Sequence, residues 1–125
     1  TTTSGTSGAQ ICNTLNSLLS KTSDTRRFQR VTISTAALET SVRSSLRNDF
    51  PLTLNVKEMP NYTSGSGHFI AVKGYYFNTS TDFKTITICD PHPTYSGTYT
   101  YTLEEMETAV ESSNGYYNRL DASTV

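Results

Sequence analysis

Residues 68–90 read HFIAVKGYYFNTSTDFKTITICD, and the punctuation of this stretch decides the fold. Residues 68–77 are dense in Phe, Ile, Val and Tyr, which suits a strand interrupted only by Gly74. Residues 78–82 make a turn and residues 83–89 return as a second strand. Asp90-Pro91-His92-Pro93 stops that strand, because proline has no N–H to give to a ladder. A turn centred near residues 80 and 81 fixes the register, so paired positions should have numbers that sum to about 158–163. On that arithmetic His68 lies opposite residues about 90–95. The imidazole that opens one strand and the carboxylate that ends the next therefore meet at the same end of the sheet.

Working outward, residues 52–56 alternate Leu52, Leu54 and Val56 with Thr53 and Asn55, the period of a strand with one buried face. Before them, Ser34 caps a helix whose Leu38, Val42 and Leu46 form a four-residue stripe, and Asn48 with Pro51 ends it. Ile11, Cys12, Leu15, Leu18 and Leu19 recur at helical spacing within residues 9–20. Residues 21–30 are polar and read as a loop, as do residues 60–67, PNYTSGSG. Beyond the hairpin, Tyr99 and Tyr101 suggest one more short strand. Thr102-Leu103-Glu104-Glu105 is a capping box for a helix carrying Leu103, Met106 and Val110, with Gly115 placed to end it. Residues 1–8, TTTSGTSG, offer nothing to bury and read as a flexible lead-in to a single domain over 9–125. The expected class is α+β, with a mainly antiparallel sheet, two helices before it and one after.

A chain of 125 residues suits one domain. Its net charge of −1 gives no field for phosphate backbones, so nucleic acid is not an expected partner. No apolar run approaches the ~20 residues that cross a bilayer, and no charged-then-apolar leader opens the sequence. Heavy use of Ser and Thr, with charged residues at only 17%, points to an extracellular or cell-surface protein. Cys12 and Cys89 could pair there, but neither sits in a metal-ligand spacing, and no cofactor or metal is expected. Asn61-Tyr62-Thr63 and Asn78-Thr79-Ser80 match the glycosylation pattern, yet in a chain this rich in Ser and Thr such matches carry no weight.

A His acting as a general base gains from a carboxylate on its other ring nitrogen, which sets the tautomer and stabilises the imidazolium that forms. His68 and Asp90 can supply that pair. A His and an Asp at strand ends can equally do no more than satisfy backbone groups and solvent. His92, a single His between two prolines, reads as a turn residue. The alternating tyrosines of residues 95–101 read as one face of a sheet.

Gly67-His-Phe-Ile-Ala-Val-Lys-Gly-Tyr75, followed by Ile86-Thr-Ile-Cys-Asp-Pro91, resembles the catalytic His and Asp strands of papain-like cysteine peptidases. The nearest branch is the one related to bacteriocin-processing, double-glycine leader peptidases. Its HxxxVxGY strand is matched at His68, Val72, Gly74 and Tyr75, and its Asp-Pro strand end at Asp90 and Pro91. The resemblance spans residues 34–110 and implies a peptide or protein substrate, with His68 as base and Asp90 as its orienting carboxylate. It also implies a thiol nucleophile at a helix N-terminus. Cys12 starts a helix, but the Gln expected several residues upstream and the small residues expected after it are missing. Residues 4–16 look instead like the Gly-Thr loop and second helix that follow the nucleophile helix. That alignment places the nucleophile before Thr1, on an N-terminal segment or chain, and leaves Cys12 as the second choice. The fold would then be papain-like without its nucleophile helix. Cys89, next to Asp90, should face away from the dyad and into the core. The alternatives are a peptide-binding domain of the same fold that has no activity, or a thiol acyl-transferase.

Overall fold

The computed structural model describes residues 8–22 and 26–121. The elements run α1 (Gly8–Ser20), β1 (Arg27–Thr32), α2 (Thr35–Arg47), β2 (Leu52–Met59), β3 (Tyr62–Asn78), β4 (Phe83–Asp90), β5 (Gly97–Thr102), α3 (Leu103–Glu111) and β6 (Tyr116–Asp121). The strands form one six-stranded sheet in the order β1-β6-β2-β3-β4-β5, and every neighbouring pair is antiparallel. The class is α+β.

Local chemistry accounts for most element ends. The Ser34 side chain accepts the Ala37 N–H at the start of α2, and Asn48 closes that helix. Thr102 and Glu105 form the reciprocal capping box of α3. The β3–β4 hairpin pairs Asn78 with Phe83, Tyr75 with Ile86 and Val72 with Ile88, inside the expected register, with an irregularity between Val72 and Gly74. Its turn is held by Asn78 Oδ1, which accepts the N–H groups of Ser80 and Thr81.

Residues opposite one another in a ladder share a face, and alternate residues along a strand return to it. Leu54 pairs with both Ile70 and Tyr117, and Val56 pairs with His68. These residues face α2 and α3, where Leu38, Val42, Leu103, Met106 and Val110 pack fully buried on Leu54, Val56, Ile86 and Ile88. Asp90, two residues beyond Ile88, lies on the same face. Phe28 pairs with Leu120, and Leu120 alternates away from Tyr117, so this pair belongs to the other face. There it packs with Cys12 of α1, flanked by Leu15, Leu19 and Phe50. Asn16 ties α1 down by donating to the Phe28 carbonyl at 3.0 Å and accepting the Phe28 N–H at 2.7 Å. Farther along this second face, Ala71, Cys89, Thr98 and Thr100 are exposed.

Four expectations are corrected. Residues 27–30 are not loop but the start of β1, an edge strand, where charged residues are at home because they discourage further pairing. Residues 62–67 are not loop but the first part of β3. Pro60 and Asn61 make a two-residue turn between the paired Met59 and Tyr62, and the register then shifts between Val56 and Glu58. Gly67 holds φ +94° there, and Ser64 Oγ donates to its carbonyl. Gly8 opens α1; the rest of the proposed lead-in, residues 1–7, lies outside the described residues. Finally, the helices do not simply flank the sheet: β1 separates α1 from α2, and β6 follows α3 to fill a central place.

Candidate active site

The hairpin places His68 and Asp90 on one sheet face at one end, as the turn arithmetic requires. His68 Nε2 lies 2.6 Å from Asp90 Oδ1. Tyr62 donates its hydroxyl to Asp90 Oδ2 at 2.5 Å, and the His92 backbone N–H donates to Oδ1 at 2.9 Å. The Asp90 side chain has no solvent exposure, whereas the His68 side chain keeps 17%.

Burial alone would push the Asp90 carboxyl up. The hydroxyl of Tyr62, the ring of His68 and the N–H of His92 outweigh it and hold the carboxyl below its ordinary value, as an anion. Burial, then the bond to that anion, pushes the Tyr62 phenol well up, so it stays protonated and acts as a donor. With an anion on Nε2, the neutral His68 ring keeps its proton there. Nδ1 then carries the lone pair, and it has no hydrogen-bond partner among the described residues. The pair can therefore take a proton at Nδ1 and stabilise the resulting cation through Asp90.

His92 holds the turn, as the sequence suggests. Its Nδ1 accepts the N–H groups of Thr94 and Tyr95 at 3.0 and 3.2 Å, and its ring stands edge-on to His68 at 5.4 Å. Among the described residues no group of three or more His, Cys, Asp or Glu converges to hold a metal.

Cys12 is not at this site, and its candidacy as nucleophile for His68 is corrected here. It sits beneath α1 on the opposite sheet face, beside β1, and β1 is three strands from β3. At ~4.8 Å per strand that is ~14 Å across the sheet before the change of face. Its Sγ donates to the Phe28 carbonyl at 3.4 Å, and burial pushes the thiol up, only partly offset by the charge of Arg30. A nucleophilic cysteine needs the opposite shift. Cys89 does point away from Asp90, but it is exposed rather than part of the core. Both thiols are free.

Tyr62 is the site residue that sequence reading missed. The available signal was Pro60-Asn61, a turn dipeptide that returns the chain directly into a strand starting at Tyr62. The Ser- and Gly-rich residues 64–67 obscured it.

The depressed carboxyl has a thermodynamic consequence. A folded-state value below the unfolded one contributes stability that is fully present above the unfolded value, about 3.9, and is lost as pH falls through the folded value. Urea titrations are therefore expected to show stability falling below about pH 4, with a shallower fall in Asp90→Asn. Parallel curves for the two proteins would mean that Asp90 carries none of the acid sensitivity.

Comparison with family models, with curated proteins and with solved structures finds no match to this chain.

Proposed function

We propose that the intact protein is a cysteine peptidase of the papain-like class, and that this chain supplies its base, His68, and its orienting carboxylate, Asp90. The observation that supports this reading is the 2.6 Å contact between His68 Nε2 and a fully buried Asp90, which leaves Nδ1 as the free base. The reaction would run in two halves. Nδ1 takes the proton of a cysteine thiol, and the thiolate attacks the peptide carbonyl. The imidazolium, held by Asp90, gives its proton to the departing amine, leaving an acyl-thioester. Water, activated by the same Nδ1, then releases the acid and regenerates the thiol.

No thiol reaches His68 among the described residues, because Cys12 and Cys89 belong to the other face of the sheet. The nucleophile is accordingly assigned to a segment N-terminal to Thr1 or to a separate chain. The substrate is a peptide or protein met outside the cell or at its surface.

The same absence favours one competing reading, a domain that binds peptides and does not cleave them. The test is to assay fluorogenic peptides with this chain alone and with the upstream residues attached. The chain alone should bind without turnover, and the extended protein should hydrolyse peptides until iodoacetamide stops it. Peptide affinity without turnover in both forms would favour the binding domain. Transfer of the acyl group to an added amine in preference to water would favour a thiol acyl-transferase.

A further inference from the structure

We propose that Tyr62 is a positioning residue, which assigns the two oxygens of Asp90 and so keeps the ring proton of His68 on Nε2. The inference deepens the reading of the dyad given above, but its test observes the imidazole itself and requires no turnover.

An ionised carboxylate can only accept hydrogen bonds, so the 2.5 Å contact has the Tyr62 O–H donating to Oδ2. Oδ1 is taken by the His68 ring and the His92 N–H. Rotation of an aspartate about its last torsion is soft and roughly two-fold, so the backbone of β4 does not decide which oxygen faces His68. The donors decide it. Without the Tyr62 hydroxyl, Oδ2 would be a buried acceptor with no other donor among the described residues, and a side chain that turns to find one draws Oδ1 away from His68.

Tyr62 is itself held in place. It is 8% exposed, lies stacked on Tyr95 with ring centroids 4.6 Å apart and planes 4° from parallel, and packs on the His92 ring at 4.7 Å. Tyr95 is secured in turn, its carbonyl accepting the Tyr99 hydroxyl at 2.8 Å and its N–H bound to His92 Nδ1. An aromatic brace thus runs from the start of β5 to the carboxylate. A ring needed only for packing would fill this space as a phenylalanine. The short bond to Oδ2 is what a purely packing role leaves unexplained.

The experiment is long-range 1H–15N spectroscopy of the imidazoles at pH 8, in this 125-residue chain. The chain contains two histidines, which a His92→Gln spectrum tells apart. In the parent, His68 should show a protonated Nε2 and an unprotonated Nδ1. In Tyr62→Phe, with an otherwise superimposable amide spectrum, the ratio of the Nε2–H to the Nδ1–H form should drop about tenfold, equivalent to ~1.4 kcal/mol. The ordered Nε2–H proton signal should also exchange faster with water. If Tyr62→Phe does not fold, Tyr95→Leu is the second arm: it keeps the hydroxyl but frees the ring that carries it, and should lower the ratio several-fold. An unchanged ratio in a folded Tyr62→Phe, or in Tyr95→Leu where that arm is used, would overturn the proposal. A peptidase assay that fails would leave this result standing, and a ratio that does not move would leave the peptidase reading standing.

Discussion

On the proposed peptidase reading, His68→Ala is expected to lower kcat/KM for peptide hydrolysis by about 10²–10⁴-fold, the contribution of a positioned general acid–base group. The measurement belongs in whichever form shows the proposed turnover. Two features of the site set the expected size. The ring has one nitrogen committed to Asp90 at 2.6 Å, so removing it removes both the base and the route by which the buried charge is used. Among the described residues no second ring can replace it, because His92 spends its Nδ1 on the N–H groups of Thr94 and Tyr95. Asp90→Asn should also lower kcat, because an amide can donate to Nε2 and hold the ring in the wrong tautomer. Activity within threefold of the parent in His68→Ala would exclude the ring as base.

The second large effect is on stability. Leu54→Ala should destabilise the fold by about 2–5 kcal/mol, against a total of about 5–15 kcal/mol for domains of this kind. Leu54 is fully buried in the middle of β2, and its ladder partners are Ile70 on one side and Tyr117 on the other. Its loss opens a cavity at the junction of the sheet with α2 and α3, where neither neighbouring strand can shift without breaking its register. Val31→Ala is the useful contrast: Val31 is half-buried on the edge strand β1, and its loss should cost much less. Urea unfolding followed by circular dichroism measures both. Equal losses would mean that the centre and the edge of the sheet are not distinct in packing.

The sequence discloses these features unevenly, for physical reasons. The β3–β4 hairpin is legible because a short turn and two prolines fix its register, and the meeting of His68 with Asp90 follows from the register alone. The caps of α2 and α3 are legible because each is made by side chains within three residues of the backbone they satisfy. β6 is hidden because its polar residues find partners far away in the chain. Arg119 reaches Ser41 Oγ at 2.9 Å and Tyr117 shares a 2.6 Å bond with the same hydroxyl, so YYNRLD reads as surface until α2 is in place. Tyr62 is hidden likewise, since its partner lies 28 residues on. The helical spacing puts Cys12 on an apolar stripe with Leu15 and Leu19, and the thiol is buried there. Which face of the sheet that helix covers depends on β1 and β6 pairing at the far edge, and no local pattern carries it.

The central claim is that His68 and Asp90 activate a thiol that is neither Cys12 nor Cys89. The most direct measurement is the site of acylation when a form of the protein that carries the proposed nucleophile is mixed with an activated peptide ester, quenched in acid and mapped by peptide mass. The account predicts one acyl group per molecule on a cysteine upstream of Thr1, formed rapidly in the parent and not in His68→Ala. An acyl group that builds up on Cys12 or Cys89, at a rate unchanged by His68→Ala, would contradict it.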